Sequence, residues 1–252
     1  MTRTRLEHRW VPAVNVSERR DGKQADILLL HYTGMKSAEV SRQWLTCAES
    51  AVSCHYLVDE AGDITQMVGE NMRAWHAGEG YWRGESDINS RSIGIEIQNV
   101  GHNAGYPDFP PEQMAAVIEL CRDIIERHEF APERVLAHSD VAPGRKWDPG
   151  EKFDWRQLHE ARIGHWVEPA PLGGGVFLQL GDQGDPVSAL QVLLSAYGYN
   201  APVTGDYDEQ TRIVIEAFQR HFRPGQVDGV ADQSTIDTLK ALIDTLPSSP
   251  IA

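Results

Sequence analysis

Apolar residues along this chain follow two periods. Ile27-Leu28-Leu29-Leu30 is a short aliphatic run with the look of a buried strand. Ser92 to Asn99 alternates instead: Ile93, Ile95 and Ile97 share one face, and Gly94, Glu96 and Gln98 share the other. His55 to Val58, Ile64 to Val68 and Val135 to Ala137 add three further predicted strands. Helical spacing appears near Ser37 to Ala48 and again from Pro111 to His128. In the second of these, Met114, Val117, Ile118, Cys121 and Ile125 fall on one side behind a Pro111-Glu112 start. Strands mixed with helices predict an α/β domain, a mixed central sheet flanked by helices.

The pattern changes near residue 165. Glu168-Pro169-Ala170-Pro171-Leu172-Gly173-Gly174-Gly175 has the composition of a linker. Beyond it, Val187, Leu190, Leu193 and Leu194 lie at helical spacing. So do Ile213, Val214, Ala217 and Phe218 within Thr211 to His221, and Ile236, Leu239, Leu242 and Ile243 within Thr235 to Leu246. Glycine turns at Gly198, Gly205 and Gly229 separate them. The expected organisation is a first domain over 1–167, a linker over 168–175 and a small three-helix domain over 176–252.

Composition narrows the partners. A net charge of −14 argues against nucleic acid or an anionic membrane surface. No apolar run is long enough to span a bilayer, and residues 1–26 lack the apolar centre of a secretory signal. Three cysteines, Cys47, Cys54 and Cys121, make no paired disulfide pattern, which favours a reducing compartment. The expected location is therefore the cytoplasm, with the periplasm as the alternative.

Candidate chemistry concentrates in His138 to Gly150. Two prolines and two glycines exclude a regular helix through this loop, which offers a histidine, a lysine and an aspartate on an irregular backbone. An imidazole and a carboxylate suit a borderline metal such as zinc. Lys146 adds a cation able to face a developing negative charge. His31 ends the first apolar strand just before Thr33-Gly34, a place where site residues are commonly displayed. Glu96 sets a carboxylate into an isoleucine-rich strand, which is costly unless it is paired or opens to a cleft.

Taken together, Leu30-His31-Tyr32-Thr33, Cys54 to Val58 with its Asp59 to Asp63 turn, Arg73 to Gly78, Ser92 to Glu96 and His138 to Gly150 resemble the zinc-dependent N-acetylmuramoyl-L-alanine amidases of the AmpD/AmiD type. The resemblance covers roughly residues 25–160. It implies an amidase/peptidoglycan-recognition-like fold and one Zn2+ per chain held by His31, His138 and Asp148. It implies Glu96 and Lys146 as catalytic residues, and muropeptides or peptidoglycan fragments as substrate. Trp75 and His76 match a cleft-lining motif, and Trp82 and Asn89 follow in the adjoining loop; all four are expected substrate contacts. Cys54 stands where some relatives carry a tyrosine, which leaves more of the proton work to Glu96. The C-terminal pattern, including Gly198-Tyr199, Gly205-Asp206-Tyr207 and Phe218-Gln219, resembles the three-helix peptidoglycan-binding module, or else is a purely structural appendage packed on the first domain. The alternative to an enzyme is a non-catalytic peptidoglycan recognition protein on the same fold; the complete ligand set favours the enzyme. Within the enzyme class, the alternative is a peptidase or endolysin-like amidase acting on intact wall in place of soluble 1,6-anhydro-muropeptides.

Overall fold

Six strands join into one mixed sheet in the computed structural model, which describes residues 2–246. Met1 and the last six positions of the expected 176–252 unit lie outside the described residues. In chain order the strands are β1 (Arg9–Trp10), β2 (Val16–Ser17), β3 (Ile27–Tyr32), β4 (Tyr56–Val58), β5 (Ile64–Gln66), β6 (Arg73–Ala74), β7 (Ser92–Ile97), β8 (Val135–Ala137), β9 (Phe177–Leu178) and β10 (Ala231–Asp232). The helices are α1 (Ala38–Thr46), α2 (Ile88–Arg91), α3 (Pro111–His128), α4 (His138–Val141), α5 (Trp155–Glu160), α6 (Asp185–Tyr197), α7 (Glu209–Phe222) and α8 (Gln233–Asp244). The main sheet runs β1-β5-β4-β7-β3-β8. Its β4–β5 pair is antiparallel and its other pairs are parallel. The five expected strands are all in it; the short edge strand β1 is an addition.

The two faces of the sheet have different fates. On one, Leu28, Leu30, Ile93, Ile95 and Ile97 pack against α3 in a continuous core. The buried side of α3 is Met114, Val117, Leu120, Cys121 and Ile124, while Ile118 and Ile125 sit at its margin. The buried stripe is thus rotated from the expected one: Leu120 and Ile124 pack in the sheet core where Ile118 and Ile125 were expected. On the other face, Ile27, Leu29 and Leu136 share a core with Val187, Leu194, Tyr197, Phe218 and Leu239 of the C-terminal helices. Two of those helices, α7 and α8, start where sequence supplies caps: Asp208 accepts from Thr211 N and Asp232 from Thr235 N, each at 2.8 Å. They close one part of this face. His31 and Glu96, which also point to it, are left at a cleft.

The 138–150 loop departs from expectation at its start. A single helical turn, α4, forms at His138–Val141 before Pro143 and Gly144 stop it. The rest is irregular, as the prolines and glycines require.

A buried ionic network ties the back of α3 to the sheet. Glu70 accepts hydrogen bonds from Arg127, from His128 Nε2 at 3.0 Å and from the Tyr56 hydroxyl at 2.5 Å. Burial alone would raise its pKa, but these hydrogen bonds hold the carboxyl down at about 2. Because the folded value lies below the ordinary 4.5, the stabilisation is complete above about 4.5 and is lost as the pH falls toward about 2. Glu70→Gln is expected to cost about 3 kcal/mol at neutral pH, since it leaves Arg127 without one of its buried anionic partners. It should also flatten the acid limb of thermal stability, measured by calorimetry between pH 5 and 2.

Candidate metal centre and cleft

Parallel pairing of β3 with β7 sets His31 opposite Glu96, and Leu57 of β4 is the other neighbour of Glu96. β8 lies on the far side of β3 and delivers His138 immediately after its last residue. The loop then folds back, closed by Ser139 N donating to Asp148 O at 3.0 Å. The result is that His31 Nδ1, His138 Nδ1 and Asp148 Oδ2 converge, with separations of 2.8, 3.1 and 2.9 Å. All three residues are buried.

The outer nitrogens of the two imidazoles decide their protonation. His138 Nε2 faces the Ala77 carbonyl at 2.9 Å, an acceptor only, so it carries the proton. The Ser92 hydroxyl donates to Ile88 O at 2.7 Å and therefore accepts from His76 Nε2 at 3.2 Å. His76 Nδ1 is then an acceptor, and His31 Nε2 donates to it at 2.9 Å. Both Nδ1 atoms are left with bare lone pairs aimed at the same point as the Asp148 carboxylate. Burial, then the neighbouring His138, lowers the His31 pKa to about 4, and burial, then His31, holds His76 well below the usual range. Burial would raise Asp148, but the facing His138, then His31, hold it below the ordinary carboxylate range whenever either ring carries a proton on Nδ1. Two neutral imidazoles and one anion pointing inward at 2.8–3.1 Å repel one another unless a cation sits among them. Separations this short are all reachable from one ion about 2 Å from each atom. The donor set, two nitrogens and a carboxylate oxygen, fits zinc.

Glu96 stands beside this centre. Its Oε2 is buried without a hydrogen-bond partner. Burial, then the charge of Asp148, raises its pKa well above the ordinary value, with Lys146 opposing. The cleft in front has a volume of about 510 Å³, and Glu96, Lys146, Trp44 and Trp147 are among its walls.

Of the expected substrate contacts, Trp75 and His76 border the cleft region. Trp75 Nε1 donates to Ser17 Oγ at 3.1 Å, and its ring lines an adjoining depression with Arg145 and Lys146. His76 touches the cleft but is spent on orienting His31. One expectation needs correction. Trp82 is fully buried, with the Tyr199 ring 5.0 Å away and Gly198 pressed against it, so it is core beneath the C-terminal helices. Asn89 is largely buried; its Oδ1 accepts from His76 N and Ala77 N and shapes the main chain of that motif, and the residue also lines the depression beside Trp75. The exposed indoles of the cleft are Trp44 and Trp147, each 44% exposed. Trp147 lies between Lys146 and Asp148, but one residue of an irregular loop has no period that announces its direction. Trp44 lies on α1 next to buried Leu45, where helical spacing alone leaves a boundary position undecided.

Comparison with known proteins agrees with this geometry. The family model described as N-acetylmuramoyl-L-alanine amidase matches residues 21–151, and one described as a peptidoglycan binding domain matches 183–239. The N-acetylmuramoyl-L-alanine amidase AmiD of Escherichia coli is 37% identical over 230 residues, 86% of this chain and 82% of its own. Its structure with the substrate anhydro-N-acetylmuramic acid-L-Ala-D-gamma-Glu-L-Lys superposes with a TM-score of 0.74, covering 90% of this chain and 92% of that one. AmpDh3 from Pseudomonas aeruginosa, in complex with anhydromuramic pentapeptide, gives 0.76 at 32% identity, over 92% of this chain and 96% of that one.

The seat of His76 exists because residue 94 has no side chain: a Cβ there would lie 2.5 Å from His76 Nδ1. Gly94→Ala is expected to displace the ring, free His31 Nε2 from its acceptor and lower zinc affinity by about tenfold or more. Overpacking should also cost about 1–3 kcal/mol. Metal titration and thermal melting of the same sample separate the two effects.

Proposed function

The chain belongs to the N-acetylmuramoyl-L-alanine amidase family, and from that premise we propose that it hydrolyses the amide joining the lactyl group of N-acetylmuramic acid to L-alanine in muropeptides, with one zinc ion held by His31, His138 and Asp148. The observation that carries this reading is the convergence of two bare imidazole nitrogens and a carboxylate oxygen at the cleft floor. Bound there, zinc supplies Lewis acidity, polarising a carbonyl and lowering the pKa of water toward about 7.

The chain's own residues do the rest. His31 and His138 present neutral Nδ1 atoms, locked by the acceptors behind them. Glu96, with its proton affinity raised by burial and by Asp148, takes the proton of the attacking water and hands it to the departing amine nitrogen. Lys146 places a cation at the cleft, where the carbonyl oxygen gathers negative charge. Trp44 and Trp147 offer flat apolar faces to a sugar ring, and Trp75 and His76 border the next depression.

The same proposal divides the chain into an amidase unit over 1–167, a connection over 168–175 and a peptidoglycan-binding unit from 176 onward. Among the described residues no helix is long and apolar enough to cross a membrane. Free Cys47, Cys54 and Cys121 support a reducing compartment, and hence action on soluble 1,6-anhydro-muropeptides in the cytosol. The wall-binding unit supports the periplasm and intact peptidoglycan. Fractionation of native cells, with product analysis on muropeptides and on sacculi, decides between them; periplasmic protein active on sacculi alone excludes the cytosolic reading.

Purified protein is expected to hold one equivalent of zinc and to release peptide from muramyl substrate in a chelator-sensitive manner. His31→Ala should lose both metal and turnover; full retention of both would overturn the ligand assignment. Glu96→Ala and Lys146→Ala should each keep zinc and lower kcat by about 10² or more. An unchanged kcat with a raised KM would move that residue to substrate binding.

A further inference from the structure

We propose that the C-terminal helical unit is a positioning element of the metal centre: Tyr199 and His221 hold the Asp140 carboxylate and, through it, the 138–150 loop that carries His138, Lys146 and Asp148. This rests on the reading of His138 and Asp148 as metal ligands, and it adds to the wall-binding role proposed for the unit.

Asp140 is fully buried two residues after His138. Three donors meet it. Ala137 N donates to Oδ2 at 2.8 Å, His221 Nδ1 to Oδ2 at 2.6 Å and the Tyr199 hydroxyl to Oδ1 at 2.6 Å. Only the first is local; the other two come from the helical unit. Among the described residues no lysine or arginine forms a salt bridge with Asp140, and His221 is the one basic side chain within salt-bridge distance. A buried carboxylate with a single donor is poorly solvated, so this one depends on the helical unit for most of its satisfaction. The Ala137 N–H bond in turn fixes the start of the α4 turn whose first residue is His138.

The rest of α7 follows the same loop. A Cβ at Gly144 would lie 2.8 Å from Ile213 Cδ1, so the backbone there is pressed against the helix. Arg220 lies 5.6 Å over the Trp147 ring and 3.8 Å from Glu151. The His221 ring stacks on Trp155 with centroids 3.7 Å apart. Val141 and Ala142 belong to the same core as Tyr199, Val214 and Phe218. A tethered binding module would touch its neighbour through a sparse polar surface. Here one helix backs the loop from 140 to 155.

The test uses the full chain with Tyr199→Phe, with His221→Ala, and with His221→Asn, whose amide nitrogen restores a donor near the place of Nδ1. Zinc affinity is measured by chelator competition, amide hydrogen exchange of 138–150 on metal-free protein, and kcat and KM on a muramyl peptide. The expected result is zinc binding weakened about tenfold or more in Tyr199→Phe and His221→Ala. Exchange across 138–150 should quicken and kcat should fall with little change in KM, and His221→Asn should recover much of the loss. Should His221→Ala fail to fold, Tyr199→Phe, which removes one oxygen, gives the answer. Wild-type zinc affinity and wild-type exchange at 138–150, with only the helical unit loosened, would overturn the proposal. Failure of the wild-type protein to bind zinc would overturn the metal reading and the proposal together, whereas variants that match a zinc-binding wild type sink the proposal alone.

Discussion

Two histidine nitrogens must face one point with their lone pairs bare, and most of the surrounding structure follows from that requirement. An imidazole has one proton to place when neutral, and it goes where an acceptor waits. Ala77 O settles His138, and the His76–Ser92–Ile88 chain settles His31. Each acceptor has its own support. Ala77 O also receives Arg145, and the Ala77 backbone is held by Asn89, while His76 fits only because Gly94 leaves its ring a place. The stretch Trp75-His76-Ala77-Gly78 therefore acts from behind His31 and His138, through the His76 ring and the Ala77 carbonyl.

The sheet makes this possible by treating its faces differently. One face is filled with isoleucine and leucine under α3 and serves as foundation. The other carries Ser92, Gly94 and Glu96 in sequence along β7, next to Ile27, Leu29 and His31 along β3. Small residues open space there, and the acid fills the last position. Glu96 gains its raised pKa from the same geometry: its carboxyl is set into the cleft floor beside the anionic Asp148, with Oε2 buried and without a partner. A carboxyl so placed keeps its proton more readily than Asp148, whose pKa is shifted the other way. Two acids close together are thereby driven to opposite protonation preferences.

The legible part of this architecture was the part governed by period and by residue type. The runs at 27–30 and 92–99, the long helix at 111–128 and the three C-terminal helices show their spacing openly, and the sheet and helices stand where that spacing put them. His31 at a strand end, Glu96 among isoleucines, and His138 and Asp148 in a proline- and glycine-rich loop stand out by their setting, and the fold brings all four together. Exposure was less legible. Trp82 and Trp147 are both tryptophans in irregular loops, yet one is sealed beneath Tyr197 and Tyr199 and the other lies open. The difference is made by helices more than a hundred residues away in sequence from Trp82, which no local pattern encodes. The role of Asn89 was hidden for a similar reason: an amide that caps the main chain of its own neighbourhood looks, in sequence, like any polar loop residue.

The shared core has a consequence for how wall binding and hydrolysis relate. Ile27, Leu29 and Leu136 of the sheet are buried partly by residues after 185, and each such aliphatic side chain is stabilised by about 1.5–3 kcal/mol on full burial. Trp82, larger still, lies under the same helices. The Pro- and Gly-rich connection is not a free tether along its whole length, because Ala170 within it is bonded to Ser234 and Thr238 of α8 at 2.6 and 3.0 Å. A flexible tether would raise the local concentration of wall around the cleft without choosing which bond is presented. A docked unit differs: any glycan held on it would lie at a fixed distance and angle from the cleft floor. The geometry between the two units is set at the 138–155 segment, which carries His138 and Asp148 of the candidate metal site on one side and packs on α7 on the other.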